Sequence, residues 1–155
     1  MNRIVLSFTI ALVCIGSLEA QGPPATEACT NKSLQGTFGL QISGTRPAPE
    51  VLPGFGILLP GSIESVIGVV TQVFDGNGNF TQVDNVKGSL SGIAFDRPGS
   101  GTYTVNPDCT GTFRITAGTP FPVVNRFVIV DGGKEFLSVV VSPQAVMVMA
   151  RGRKT

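Results

Sequence analysis

Residues 65–87 of the chain read SVIGVVTQVF-DGNG-NFTQVDNVK. Two runs rich in β-branched and aromatic residues, Ser65–Phe74 and Asn79–Lys87, flank the short segment Asp75-Gly76-Asn77-Gly78. Asp-Gly and Asn-Gly pairs accept the positive φ angles that tight hairpin turns require. This stretch therefore predicts an antiparallel β-hairpin, and the same pattern recurs along the chain.

Further apolar runs alternate with turn residues on both sides of this hairpin. They are Gly36–Ser43, Gly99–Val105, Thr110–Thr116, Val123–Val130, Glu135–Val141 and Ala145–Arg151. No stretch of ten or more residues has a clear 3.6-residue period. The 20 glycines and 11 prolines also disfavour long helices. Together these features predict about eight strands that follow one another in an antiparallel meander.

A closed barrel removes the exposed sheet edges of such a meander. We predict an all-β fold in which eight antiparallel strands close into a small barrel over residues 34–155, preceded by an N-terminal segment over residues 21–33. A two-sheet sandwich is the alternative, and its long crossover would have to be Gly44–Glu64. An eight-stranded barrel has an interior that is filled by side chains or holds one small ligand.

The first 20 residues have the pattern of a secretory signal peptide. Arg3 supplies the positive charge, Ile4–Ile15 is largely apolar, and Ala20 is a small residue at the cleavage position. An uncleaved anchor is the alternative, but the apolar run is shorter than the ~20 residues that span a bilayer. We expect a secreted or periplasmic protein with no stable membrane insertion after cleavage.

The cysteines agree with export. The chain has 3 of them, and Cys14 lies within the predicted signal peptide. Cys29 and Cys109 remain, and an even pair in an oxidising compartment favours a disulfide. The alternative is two free thiols. A bridge would attach the N-terminal segment to a later turn.

Composition excludes several kinds of chemistry. The absence of histidine removes His-based catalytic triads and His metal sites. A formal net charge of +1 gives no electrostatic basis for binding nucleic acid. The Asp75–Asn79 segment resembles the start of a calcium loop, but Val86 stands where the loop needs its twelfth, acidic ligand. We predict no metal, no cofactor and no nucleic-acid partner.

Two features depart from a plain barrel. The connection Gly44–Glu64 is long, rich in proline and yet apolar, so we interpret it as a lid over a binding site or as a plug over one barrel end. The last three strands are apolar on both faces, as in Phe127–Val130, Val139–Val141 and Val146–Met149. A homo-oligomer would cover the outer face, and the alternative is an apolar but solvated surface.

A Gly-Thr-aromatic triplet recurs at residues 36–38, 101–103 and 111–113. Glycine permits a close approach at a strand start, and the aromatic ring can fill the barrel end. Gln72, Gln82, Asp84, Arg114 and Arg126 interrupt apolar runs, either as a solvent-facing row or as an internal polar cluster. The ligand-binding residues we predict are Phe38, Phe55, Tyr103, Phe113, Asp84 and Arg114.

Two blocks carry a resemblance to a known family. Residues 74–84 (FDGNGNFTQVD) and 101–112 (GTYTVNPDCTGT) resemble the signature blocks of a family of small exported bacterial proteins without an assigned activity. The resemblance spans roughly Leu34 to Arg151 and implies a bacterial, extracytoplasmic protein. More distantly, the expected barrel is similar to the allene-oxide-cyclase and dirigent barrels, which form trimers and bind apolar small molecules.

Three hypotheses for function follow. The first is a barrel that binds a small apolar ligand without catalysis, with the 44–64 connection as its lid. The second is a structural or surface protein that assembles through its apolar outer strands. The third is an enzyme of cyclase or isomerase type, for which Asp84, Arg114 and Tyr103 are the candidate groups. We favour them in that order.

Overall fold

The computed structural model describes residues 28–49, 51–52, 56–57 and 60–155 of the 155-residue chain. The predicted signal peptide lies outside these residues. The strands are β1 (Gly36–Pro47), β2 (Val51–Leu52), β3 (Gly56–Ile57), β4 (Ile63–Phe74), β5 (Asn79–Gly88), β6 (Gly92–Val105), β7 (Thr110–Ala117), β8 (Val123–Val130), β9 (Glu135–Ser142) and β10 (Met147–Lys154). Single 3₁₀ turns cover Asn31–Leu34 and Asp131–Gly133.

The eight long strands form a closed antiparallel barrel. Their order around it is β1-β10-β9-β8-β7-β6-β5-β4, and β1 pairs with both β10 and β4. The predicted all-β meander and its closure are therefore confirmed, and the sandwich alternative is wrong. The two-residue strands β2 and β3 pair with each other in the connection between β1 and β4.

The turn between β4 and β5 has the predicted chemistry. Gly76 and Gly78 adopt φ angles of 80° and 107°, which L side chains disfavour. The Asp75 carboxylate accepts hydrogen bonds from the backbone N–H groups of Asn77 (2.7 Å) and Asn79 (2.9 Å). The Asn79 side chain also donates to this carboxylate, at 2.8 Å; this bond contributes most, and the backbone bonds add to it, in lowering the pKa of Asp75. The carboxylate thus organises a hairpin turn.

Strand β6 is twice as long as the sequence pattern predicts. The residues before Gly99 include Asp96-Arg97-Pro98, which reads as a turn. In the structure Asp96 has a φ of 47°, and the pairing of β5 with β6 shifts between Asp84 and Val86. The turn-like residues are a β-bulge inside a strand, so the chain bends without leaving the sheet.

Aromatic side chains fill one end of the barrel. Phe113 stacks on Phe127 with ring centroids 4.2 Å apart, and Phe74 meets Tyr103 edge-on at 5.0 Å. The buried rings of this aromatic cluster are Phe38, Phe74, Phe80, Tyr103, Phe113, Phe127 and Phe136. Each predicted Gly-Thr-aromatic triplet contributes one of them, which confirms that these triplets fill a barrel end.

The N-terminal segment seals this same end. Leu34 is completely buried against the aromatic cluster. The Asn31 backbone oxygen accepts a hydrogen bond from the Tyr103 hydroxyl at 3.0 Å, and its side-chain oxygen accepts one from the Val105 N–H at 2.9 Å. The predicted disulfide joins Cys29 to Cys109, with 4.9 Å between their Cα atoms. It attaches the segment to the β6–β7 turn and is compatible with an exported protein.

The outer wall carries an apolar band. Val139 of β9 lies opposite Met149 of β10, Met149 opposite Ser43 of β1, and Ser43 opposite Ile67 of β4. We call this surface the outer apolar band; its exposed apolar residues are Ile67, Val69, Leu137, Val139, Met147 and Met149. The structure thus places apolar side chains on the outside of β9 and β10, as the sequence indicated. On β8, the third strand of that prediction, the exposed Arg126 interrupts the apolar outer face.

Within the residues described, no helix is both long and apolar enough to cross a membrane.

Candidate functional site: the cavity of the barrel

The half of the barrel opposite the aromatic cluster contains a cavity of about 580 Å³. Its volume lies within the range of small-molecule sites. The cavity reaches the barrel end at which β1 runs into the 48–62 connection and at which the β7–β8 and β9–β10 loops lie. Residues of all three connections line this mouth: Ala48, Pro49, Thr119, Pro120, Phe121 and Val146.

Strand alternation decides which side chains face the cavity, because every second residue of a strand points inward. On β4, Val70 is 7% exposed and lines the cavity, whereas its neighbour Val69 is 60% exposed on the outer wall. The middle of the cavity is an apolar sleeve, whose residues include Ile42, Val66, Val70, Val86, Val140 and Val148.

A connected set of polar side chains interrupts the sleeve on β4, β5 and β6. Arg97 donates hydrogen bonds to both carboxylate oxygens of Asp84, at 2.9 and 3.2 Å. The Gln82 amide N–H donates to Asp84 Oδ2 at 3.4 Å, and the Gln72 amide N–H donates to Gln82 Oε1 at 3.5 Å. We call Gln72, Gln82, Asp84 and Arg97 the polar relay.

The ion pair fixes the direction of this relay. An ionised carboxylate only accepts hydrogen bonds, so Gln82 must present its amide nitrogen to Asp84 and its oxygen to Gln72. Gln72 must in turn present its nitrogen to Gln82. Its own oxygen is left at the end of the chain, and this Oε1 is buried without a hydrogen-bond partner in the part of the protein that the structure describes.

Two more polar side chains face the cavity from β8 and β9. Asn125 is 8% exposed and Ser138 is 9% exposed, and both line the cavity. The structure gives neither side chain a hydrogen-bond partner among the described residues. They stand on strands separated from β4 and β5 by the curvature of the barrel, so polar groups face the cavity from two sides.

Three of these polar side chains, Gln72, Asn125 and Ser138, lie at the base of the cavity. Gln72 is two residues from Phe74 on β4, Asn125 is two residues from Phe127 on β8, and Ser138 is two residues from Phe136 on β9. Since residues two apart share a face, each polar side chain is next to a ring of the aromatic cluster. From floor to mouth, the cavity therefore runs from aromatic cluster to polar base to apolar sleeve.

A buried carboxylate braces the mouth. Glu64 accepts hydrogen bonds from Arg46 Nε at 2.8 Å, from the Ser91 N–H at 2.9 Å and from the Leu90 N–H at 3.2 Å. Burial alone would raise the pKa of Glu64, but the bonds from Ser91, Arg46 and Leu90 together outweigh it and lower that pKa. The sequence suggested that Glu64 was a loop residue; in the structure it lies on β4 and ties β1 to the β5–β6 turn.

The predicted ligand-binding residues have different positions. Phe113 and Asp84 line the cavity. Phe38 and Tyr103 are buried in the aromatic cluster beneath it and do not line it, because their triplets place them nearer the sealed end. Phe113 belongs to both, because it forms part of the floor.

Arg114 is exposed on the outer wall, because it follows the inward-facing Phe113 and so points the opposite way. Phe55 lies outside the described residues. The candidate groups of the enzyme hypothesis are consequently not assembled: Arg114 is outside, the Tyr103 hydroxyl is bonded to Asn31, and Asp84 is paired with Arg97.

Sequence reasoning missed Arg97, Asn125 and Ser138, and it left open whether Gln72 and Gln82 face solvent or the interior. Strand alternation is the signal that could have identified Asn125 and Ser138. Each lies two residues from a phenylalanine, and residues two apart on a strand point to the same side. Arg97 was hidden by the turn-like sequence of the bulge. Among the described residues, no group of three acidic, Cys or His side chains converges as metal ligands would.

Compared with protein-family models, curated proteins and solved structures, the chain gave no match.

Proposed function

We propose that this protein is an exported, secreted or periplasmic, binding protein that holds one small, largely apolar molecule inside its barrel without transforming it. The observation that carries the proposal is the cavity of about 580 Å³ between a solid aromatic floor and the opposite end of the barrel. A barrel that served only as a scaffold would be expected to fill its interior with side chains, since protein interiors are close-packed.

The character of the walls supports an apolar ligand. Most lining side chains are aliphatic or aromatic, and a few polar side chains also line the cavity, as is typical of small-molecule sites. Burial of a ligand against the sleeve would gain about 25 cal/mol per Å² of apolar surface removed from water. The charged lining residues Arg46, Asp84 and Arg97 already stand in ion pairs, so none offers a free charge for acid–base work.

The test uses N-phenyl-1-naphthylamine, a dye that fluoresces when it leaves water for an apolar site. The wild-type protein should enhance its fluorescence saturably, with one site per chain. The double variant Val70→Trp/Val148→Trp places two indoles in the cavity and should weaken dye binding at least tenfold. Its matched control is Val69→Trp/Met149→Trp, which changes the adjacent, outward-facing residues and should bind as the wild type does.

Circular dichroism and thermal melting of both variants establish that they are folded. If the folded cavity-filling variant bound the dye as tightly as the control, the dye would be bound elsewhere and the proposal would be wrong. Absence of saturable binding to the wild type would also contradict it.

A second candidate function is assembly of identical chains through the outer apolar band. The specific observation is the row Val139–Met149–Ser43–Ile67, in which exposed apolar residues of three strands form one surface across β1. Contiguous apolar surfaces of this kind mark interaction sites on soluble proteins. A second copy of the same chain is the occupant we propose, because an apolar surface flanked by the exposed charges of Arg126, Arg151 and Lys87 suits a self-complementary contact.

Size-exclusion chromatography with light scattering tests assembly. The wild type should elute as an oligomer, and Val139→Lys/Met149→Lys, which sets two like charges opposite each other, should give a monomer. Thr104→Lys, an exposed change outside the band, should leave the oligomer intact. A wild-type monomer at high concentration would refute assembly without affecting the binding proposal.

A further inference from the structure

We propose that the ligand is an uncharged, hydroxyl-bearing apolar molecule, an alcohol or a phenol, that enters the barrel with its hydroxyl first. Its hydroxyl would contact Asn125 and Ser138 at the polar base, and its apolar body would fill the sleeve toward the mouth. This inference rests on the proposed binding function and adds the chemistry and the direction of the ligand.

The position of the polar groups carries the direction. Asn125 and Ser138 lie next to the aromatic floor, whereas the side chains nearer the mouth on the same strands, Val123 and Val140, are apolar. A wholly apolar ligand would press against these two polar side chains and leave their hydrogen-bonding groups without partners. Such a loss is costly in a dry site. A ligand with its hydroxyl at the mouth would incur the same cost.

The charges of the cavity point to a neutral head group. Asp84 and Arg97 neutralise each other, and Arg46 is paired with Glu64. A ligand carboxylate at the base would find no free cation, because both arginines that line the cavity are already paired. A ligand ammonium would find no free carboxylate, because Asp84 is paired with Arg97. Burial of an unpaired charge is far more costly than burial of a hydroxyl that finds partners.

The polar relay favours a donor. Its direction, set by the Asp84 carboxylate, ends at Gln72 Oε1, which can only accept a hydrogen bond and has no partner among the described residues. Asn125 and Ser138 can both donate and accept. A hydroxyl matches this set because it also donates and accepts, whereas an ether or ketone oxygen only accepts.

Competition against bound N-phenyl-1-naphthylamine separates the possibilities. Three rigid probes of nearly one shape are compared at neutral pH on the full-length wild type: 2-naphthol, 2-methylnaphthalene and 2-naphthoate. We expect 2-naphthol to compete about three- to tenfold better than 2-methylnaphthalene, as one or two net hydrogen bonds would give. The anionic 2-naphthoate should be the weakest competitor.

Variants locate the head group. Ser138→Ala should reduce the preference for 2-naphthol, and Asn125→Leu/Ser138→Ala should abolish it while leaving 2-methylnaphthalene binding equal or tighter. The control Ser43→Ala removes an outward-facing hydroxyl and should keep the full preference. Retained binding of 2-methylnaphthalene also shows that the variants are folded.

Equal competition by 2-naphthol and 2-methylnaphthalene would overturn the inference, and so would a preference that survives in the double variant. Stronger competition by 2-naphthoate would overturn the neutral head group. In each of these outcomes the dye still binds, so the proposed function stands. Failure of the dye to bind the wild type would instead remove the proposed function.

Discussion

Asp84 and Arg97 lie directly opposite each other on β5 and β6, and the guanidinium of Arg97 bonds to both oxygens of the Asp84 carboxylate. Asp84 is 5% exposed, and Arg97 is the cation that pairs with it inside the barrel. The β-bulge at Asp96 gives β6 the local bend next to this register position. The irregular residue Asp96 therefore directly precedes Arg97, a member of the ion pair that orients the Gln82 and Gln72 amides.

Removal of one member of this pair should be more harmful than removal of both. Arg97→Met leaves a buried carboxylate without its cation and should lower the free energy of unfolding by about 3 kcal/mol. Asp84→Leu/Arg97→Met replaces both groups by apolar ones and should recover most of that loss. Urea unfolding of the two single variants and the double variant measures the coupling; strictly additive effects would contradict it.

Glu64 should make stability depend on pH. Its pKa is lower in the folded protein than in the unfolded chain because of the bonds from Ser91, Arg46 and Leu90. The stabilisation is therefore present above the unfolded pKa, about 4.3, and is lost as the pH falls through the folded value. Glu64→Gln should cost about 2 kcal/mol at pH 7, the scale of one charged hydrogen bond, and progressively less below pH 4.5.

Unfolding free energies at pH 7, 5 and 3 measure this difference. Glu135→Gln is the control, since Glu135 pairs with the exposed Arg151, although this bond also lowers its pKa. Solvent screens such a surface pair, so its effect should be clearly smaller. A wild-type advantage over Glu64→Gln that persists unchanged to pH 3 would be inconsistent with the assignment.

The disulfide should contribute to stability and not to binding. A bridge with a sequence separation of 80 residues restricts the unfolded chain by about 4 kcal/mol in the chain-entropy model. Cys29→Ala/Cys109→Ala should lose up to that amount in urea unfolding. Dye affinity should change less than threefold, because the bridge lies at the sealed end, away from the cavity. A large loss of affinity in folded protein would show that the seal shapes the cavity.

Gly111 should tolerate no side chain. A Cβ at this position would stand 2.2 Å from a Phe127 ring carbon and from the Thr104 carbonyl oxygen. Gly111→Ala should therefore lower the free energy of unfolding by about 2–3 kcal/mol through overpacking. Gly39→Ala is the matched control, because its nearest contact would be an ordinary 3.7 Å. Equal melting temperatures of the two variants would argue against close packing at the triplet.

The barrel could be predicted because the sequence patterns that specify its strands and turns are local. Alternation and turn residues such as Asp75-Gly76-Asn77-Gly78 determine strands and hairpins, and the meander leaves closure as the way to remove its edges. The disulfide followed from counting cysteines. The length of β6 was not predictable in this way, because Asp96-Arg97-Pro98 has the composition of a turn whether it ends a strand or bends it.

The site was less accessible to sequence reasoning because inward and outward polar residues look alike in sequence. Asp84 and Arg114 both interrupt apolar strands, yet one lines the cavity and the other faces solvent. Whether each residue lies an even or an odd number of positions from an inward-facing aromatic residue distinguishes them. The position of a side chain along the barrel axis does not follow from this alternation. Phe38 and Phe113 both point inward, but only Phe113 lines the cavity, because that position depends on the stagger of the strands around the barrel.

Both ends of the described part of the chain, residues 28–155 with its gaps, lie at the same end of the barrel. Thr155 donates its backbone N–H to Thr37 beside the aromatic cluster, and Cys29 is bonded to the β6–β7 turn at the same end. A fusion partner, a solid support or a reporter joined at Thr155 would consequently lie at the sealed end of the barrel, away from the cavity mouth. Many copies anchored in this manner would all present the cavity end of the barrel to the surrounding solution.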